Sequence, residues 1–200
     1  MREISPAAGM SPDEYLQLMV LPSDRQLVAT IREQKSKGTR PSPSASLVDR
    51  SSVLERESRA ALLDKVAGLV DENLSGRADM CLQFADLLHR ALGHLGFPAQ
   101  GILGTAIYYD AGREIFRWSH AWVRIGREVV DGNVDSLFEN PMVPSSVKVA
   151  PYWGPINETP LDRHLRQDKS LALPPDEDVE GTWWPDLVEW LDSDLPGAGA

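Results

Sequence analysis

The sequence has a single cysteine, Cys81, in 200 residues. One cysteine excludes an intramolecular disulfide and a zinc site built from several thiolates, so Cys81 is a core thiol, an intermolecular partner or a nucleophile. Residues 1–10 lack the apolar run of a signal peptide, and no stretch approaches the roughly 20 apolar residues of a membrane span. We therefore expect a cytoplasmic protein without a membrane partner.

Clustered positive charge is also missing. The formal net charge is -10, from 20 Lys and Arg residues against 30 Asp and Glu residues. Residues 176–200 hold eight of the acids and no base, so the rest of the chain is almost neutral. Without a Lys/Arg cluster of the kind that neutralises phosphates, nucleic acid is not expected as the main partner.

Composition and periodicity divide the chain into four segments, with enough apolar residues for one well-buried core. Residues 1–33 are an N-terminal extension that is helical from residue 11, and residues 34–52 are a Ser/Pro-rich linker or exposed loop. Residues 53–165 hold the main domain. Residues 166–200 are an acidic, Trp-rich tail with an amphipathic helix at 183–191, which either binds a partner or covers the core.

Helices precede strands in the main domain. Helical spacing covers residues 53–74 and 79–95, and Asp79 is the expected N-cap, which places Cys81 in the first turn. Alternating residues then predict strands at 100–109, 115–125 and 128–134, an antiparallel meander. The irregular segment that follows should pack Tyr152–Pro155 on the sheet edge. The sequence thus predicts an α+β fold with the helix of Cys81 packed on an antiparallel sheet.

Cys81 and His120 are the residues most suited to catalysis. A thiolate is stabilised by a helix N-terminus and by a neighbouring imidazolium, and the sequence supplies both. His120 lies in a predicted strand, in Ser-His-Ala-Trp-Val, on the same face as Trp122 and Arg124. A helix packed on the meander would bring the two together.

The acid that orients His120 depends on the hairpin turn. A turn at Ile125-Gly126 would set Asp131 directly opposite His120. A turn at Gly126-Arg127 would set Asn133 opposite and leave Asp131 diagonal. Either register keeps Asp131, Asn133 and Asp135 on the face of the histidine, so all three remain candidates.

These residues resemble the bacterial transglutaminase-like superfamily. The resemblance rests on the helix that starts CLQFADLLHRALGHLGFPA at Cys81, on HAWV at His120 and on VVD ending at Asp131. It implies a papain-like core and a Cys81-His120-Asp131 triad that acts on a peptide or protein amide through a thioester acyl-enzyme. Peptidase, deamidase and acyl-transfer reactions all fit, and so does a catalytically silent domain that binds peptides or proteins.

The remaining candidate residues are expected to be structural. The spacing of His89 and His94 does not place two ligands on one helix face, and His164 falls in a charged loop, so we expect no metal site and no cofactor. Cys81 N–H is the default oxyanion donor, with any helper side chain unassigned. A further hypothesis is an interaction module that works through the acidic tail, with the core as its scaffold.

Overall fold

The computed structural model describes residues 22–71, 76–140 and 142–197, and the chain divides into two compact units, residues 1–40 and 41–200. In the first unit, helix α1 (Pro22–Lys37) ends at Gly38, which has a φ of +64°. The helix passes its predicted end at residue 33 because Gln and Lys are good helix formers and Lys35 and Lys37 suit the negative helix end. The helix predicted for residues 11–21 lies outside the described residues.

A six-stranded sheet organises the second unit. Its strands are β1 (Val48–Asp49), β2 (Ala99–Asp110), β3 (Arg113–Ile125), β4 (Glu128–Asp131), β5 (Tyr152–Pro155) and β6 (Arg163–Ser170). The spatial order is β1-β5-β4-β3-β2-β6, and only the β1–β5 pair is parallel. The predicted antiparallel meander is β2-β3-β4, at the centre of this sheet.

Three helices complete the main core of the second unit. They are α2 (Arg56–Val70), α3 (Cys81–His94) and α4 (Trp184–Ser193). Leu62, Leu88 and Leu187 from these helices pack together with Val123 and Trp153 of the sheet. A mixed α+β fold is therefore confirmed. None of the helices in the described ranges is long and apolar enough to cross a bilayer.

Three segments that the sequence left irregular belong to the sheet. Residues 34–52, expected as a loop, contain β1 and a short 3-10 helix (Pro43–Ser46). Tyr152–Pro155 does not pack at the edge but forms β5, between β1 and β4. The charged segment around His164 is β6, which pairs with β2. β6 is held as a strand by backbone hydrogen bonds to β2, and its side chains do not alternate between apolar and polar. The sequence pattern therefore did not predict it.

The C-terminal segment is part of the main core. A π-helical turn (Val179–Trp183) leads into α4, close to the helix predicted at 183–191. Val179, Trp183, Leu187 and Leu191 are all buried in that core. The apolar face of the predicted amphipathic helix is thus already occupied by the protein itself.

Candidate active site

Cys81 is the first residue of α3 and is partly buried. Met80 occupies the N-cap position and makes no side-chain capping bond, so the first-turn N–H groups beside the thiol have no cap. Asp79, the expected cap, stands one position too early and accepts a hydrogen bond from the Asn140 amide at 2.8 Å instead. That prediction is wrong, but Cys81 does lie where the helix dipole favours an anion.

Arg77 fixes the segment that leads into Cys81. Its guanidinium donates to both carboxylate oxygens of Asp135, at 2.9 and 2.7 Å, and this ion pair is buried. The Asn133 amide donates to the Arg77 carbonyl at 2.9 Å, and the Arg77 N–H donates to Glu139 at 3.3 Å. The start of α3 is therefore tied to the chain that follows β4.

The β3–β4 hairpin has the second of the two predicted registers. Ile125 pairs with Glu128, so Gly126 and Arg127 form the turn. Gly126 has a φ of +57°, whereas Arg127 does not have a positive φ, the pattern of a type II′ turn with glycine first. The alternative turn would have given its first central position, which needs a positive φ, to the β-branched Ile125. A register with Asp131 directly opposite His120 is therefore wrong.

Asp131 nevertheless meets His120 from its diagonal position at the end of β4. The His120 Nε2 atom donates to Asp131 Oδ1 at 2.7 Å, and both side chains are only 1% exposed. The other two candidates, the amide of Asn133 and the carboxylate of Asp135, are bound to Arg77. Of the three residues that the sequence left open, the structure brings only Asp131 to the histidine.

Cys81 approaches the histidine from the helix-covered side of the sheet. Ala121 and Val123 face the core that contains α3, whereas His120 lies with Trp122, their ring centroids 6.2 Å apart. The β3–β4 ladder reaches only to Val123, so in the described chain no strand pairs with β3 beside His120 on that edge. Cys81 and His120 interact across this edge, since the thiol contributes to the pKa of the ring.

The charges of this site hold His120 protonated. Burial opposes a charge on the ring, but Asp131 and then Cys81 outweigh it and raise the pKa of His120 to about 10. At neutral pH both ring nitrogens therefore carry hydrogen. Nε2 donates to Asp131, and Nδ1 makes no hydrogen bond of standard geometry among the described residues. The buried Nδ1–H is therefore left for Cys81, which contributes to the raised pKa of the ring.

Arg163 is the second partner of Asp131 and was not predicted from the sequence. Its Nη1 atom donates to Asp131 Oδ2 at 2.8 Å, and its other nitrogens reach Asp162 and the Ala150 carbonyl. Burial raises the pKa of Asp131, but His120 and Arg163 together lower it below its ordinary value. Arg163 lies in a charged stretch 32 residues after Asp131, without a periodic signal to mark it.

The remaining histidines take part in local contacts. His89 Nδ1 lies 3.2 Å from the Ala85 carbonyl, His94 Nε2 lies 2.7 Å from Asp192, and His164 is exposed. The described residues include no group of three or more His, Cys, Asp or Glu side chains that could hold a metal ion.

Comparisons with family models, with curated proteins and with solved structures found no match. A functional assignment therefore rests on the residues and contacts of the site itself.

Proposed function

We propose that this protein is a transglutaminase-like cysteine enzyme that acts on an amide through a thioester. The observation that carries the proposal is the buried hydrogen bond between His120 and Asp131, beside a cysteine at a helix start. Asp131 holds one ring nitrogen of His120 and leaves the other for the thiol, which is the arrangement that a cysteine nucleophile needs.

A papain-like core is part of the same proposal. The chain runs from the helix of Cys81 through β2 to the strand of His120 and then to the strand of Asp131. This order agrees with the resemblance to transglutaminase-like proteins, whose triad follows the chain in the same sequence.

The contacts support one course of reaction. The Cys81 thiolate attacks the carbonyl carbon of the amide, and a bond forms between Sγ and that carbon while the carbonyl electron pair moves to oxygen. The Cys81 N–H is the proposed donor to this oxyanion. His120 Nδ1–H then gives its proton to the amine as the C–N bond breaks, and a thioester remains.

The second reactant decides the outcome. When water attacks the thioester and gives a proton to neutral His120, a carboxylate is released, as in a peptidase or deamidase. When an amine attacks instead, a new amide forms and the acyl group is transferred. The proposed substrate is a peptide or protein amide, and the proposed location is the cytoplasm. No cofactor is required by this chemistry.

The pH dependence of Cys81 alkylation tests the proposal. Iodoacetamide should modify the native protein rapidly even at about pH 6, where an ordinary thiol is almost entirely protonated. His120→Ala should remove this low-pH reactivity because the imidazolium that stabilises the thiolate is lost. Asp131→Asn should weaken it by about tenfold or more, since a carboxylate no longer stabilises the charged ring.

His164→Ala is the matched control, because it deletes an exposed imidazole outside the site. Its alkylation profile should superimpose on that of the unmodified protein. If Cys81 instead reacts like a free cysteine in all four proteins, the catalytic proposal fails and the catalytically silent binding domain takes its place.

A further inference from the structure

Tyr108 is a fully buried tyrosine without a hydrogen-bond partner. It lies in β2, is 0% exposed, and its hydroxyl makes no hydrogen bond to any described residue. An unpaired buried hydroxyl is unfavourable and is rare in folded proteins. A phenylalanine would fill the same space without that cost, so the hydroxyl calls for an explanation.

The surroundings of Tyr108 place it at the candidate active site. Tyr108 is the cross-strand partner of Arg163 in the β2–β6 ladder, and the Arg163 guanidinium binds Asp131 at 2.8 Å. The Tyr108 ring stacks on Phe116 with centroids 6.2 Å apart. Burial first, and the negative charges of Asp131 and Cys81 next, raise the pKa of Tyr108 well above its ordinary value. The hydroxyl therefore keeps its proton and remains a donor at any working pH.

The acceptors already at the site have donors of their own. Asp131 Oδ1 accepts from His120 and Oδ2 accepts from Arg163. The protonated His120 ring offers donors only. A donor held among such groups is suited to an acceptor that arrives with the substrate.

We propose that the Tyr108 hydroxyl binds the oxyanion formed when Cys81 attacks the substrate carbonyl, as the helper donor beside the Cys81 N–H. This inference rests on the proposed function. As the bond from Sγ to carbon forms, the carbonyl π electrons move to oxygen, and Tyr108 O–H donates a hydrogen bond to it. No proton is transferred, and the bond weakens when the oxyanion collapses to the thioester.

Two probe reactions of Cys81 separate this role from others. Acylation by p-nitrophenyl acetate passes through a tetrahedral oxyanion, and its phenolate leaves without help from His120. Alkylation by iodoacetamide needs the same thiolate but forms no oxyanion. A donor to the oxyanion should therefore matter for the first reaction and not for the second.

The test is Tyr108→Phe in the full-length protein, which keeps the ring and its stacking on Phe116. Acylation should slow by about 100-fold, the usual effect of deleting one oxyanion donor, while alkylation changes by less than about twofold. The melting temperature should stay the same or rise, because an unpaired hydroxyl is removed. Tyr109→Phe, the same deletion at the next residue of β2, is the matched control and should change neither rate.

Two other outcomes overturn the inference. Equal losses in both reactions would show that Tyr108 acts on the thiolate, and unchanged acylation would leave it as a packing residue. If Tyr108→Phe lowers the melting temperature, both rates are compared at a temperature where each protein is folded, and alkylation reports whether the site is intact. A wild-type Cys81 that is inert to both reagents would instead refute the proposed function.

Discussion

At the scale of residues, the site depends on one carboxylate that serves two cations. Asp131 lies between His120 and Arg163, with one oxygen for each, and all three side chains are buried. Burying charges is costly, and their attraction offsets the cost only when the hydrogen bonds are complete. Here each carboxylate oxygen has its donor, so the arrangement can keep His120 both charged and oriented.

A pH-dependent contribution to stability follows from the raised pKa of His120. The pKa is about 10 in the folded protein, against an ordinary value of 6.5. The stabilisation is fully present below about pH 6.5 and is lost as the pH rises towards 10. The free energy of unfolding should therefore exceed that of His120→Gln most at about pH 6, and the difference should shrink steadily towards pH 10.

Denaturant unfolding at several pH values measures this difference. Both proteins should carry Cys81→Ala, so that titration of the thiol does not contribute. Because Cys81 helps to raise the pKa of His120, the difference should then disappear at a somewhat lower pH, with Asp131 as the remaining partner that raises this pKa. Groups that do not interact with His120 titrate alike in the two proteins and cancel, and Asp131, whose pKa His120 and Arg163 lower, titrates below the pH range of the comparison. A difference that is constant from about pH 6 to 10, or that grows, would show that His120 is neutral in the folded state.

At the scale of elements, local turn chemistry set the hairpin that carries the site. Gly126 predicted a tight turn, and its positive φ belongs to the first central position. The sequence therefore predicted the hairpin and the face of His120 but left two registers open. A conformational preference of one residue, Ile125, favours the observed one.

The arginines of the site had no such local signal. Arg77 meets Asp135 58 residues later, and Arg163 meets Asp131 from β6, a strand that the sequence analysis did not predict. Neither arginine belongs to a periodic pattern in the sequence. These two ion pairs can therefore be recognised only once the chain has folded and brought the partners together. Cys81, His120 and Asp131 could be proposed because each lies within a patterned helix or strand.

Arg77 should be required for the start of α3. Arg77→Met removes one partner of a buried ion pair and leaves Asp135 uncompensated, so stability should fall by about 3–5 kcal/mol. Because Arg77 also ties the segment before Cys81 to the chain after β4, alkylation of Cys81 at about pH 6 should slow. Denaturant unfolding and iodoacetamide kinetics measure the two effects.

Arg117→Met is the matched control, since Arg117 pairs with Glu114 on the exposed hairpin. Surface ion pairs of this kind contribute little. Equal and small effects of the two substitutions would show that the buried pair does not hold the segment in place.

At the scale of the whole molecule, the C-terminal segment closes the core instead of extending from it. Arg90 of α3 binds Glu180 at 2.8 Å and lies over the ring of Trp184. These contacts add to the buried apolar face of α4. An acidic, Trp-rich sequence was compatible with a partner-binding helix or a cover, because periodicity shows that a helix has an apolar face but not what the face contacts.

A substitution at Leu187 distinguishes a helix that covers the core from a helix that binds a partner. It is 0% exposed in the main core, so Leu187→Ala should lower the free energy of unfolding by about 2–5 kcal/mol, through lost burial and the cavity that remains. Leu161→Ala removes the same atoms from a leucine that is 96% exposed and should have almost no effect. A helix that docks on another protein would give similar small values for both in the isolated chain. A large loss at Leu187 alone would mean that any partner of the acidic segment must bind its outer, charged face, since displacing α4 would open the core behind Cys81.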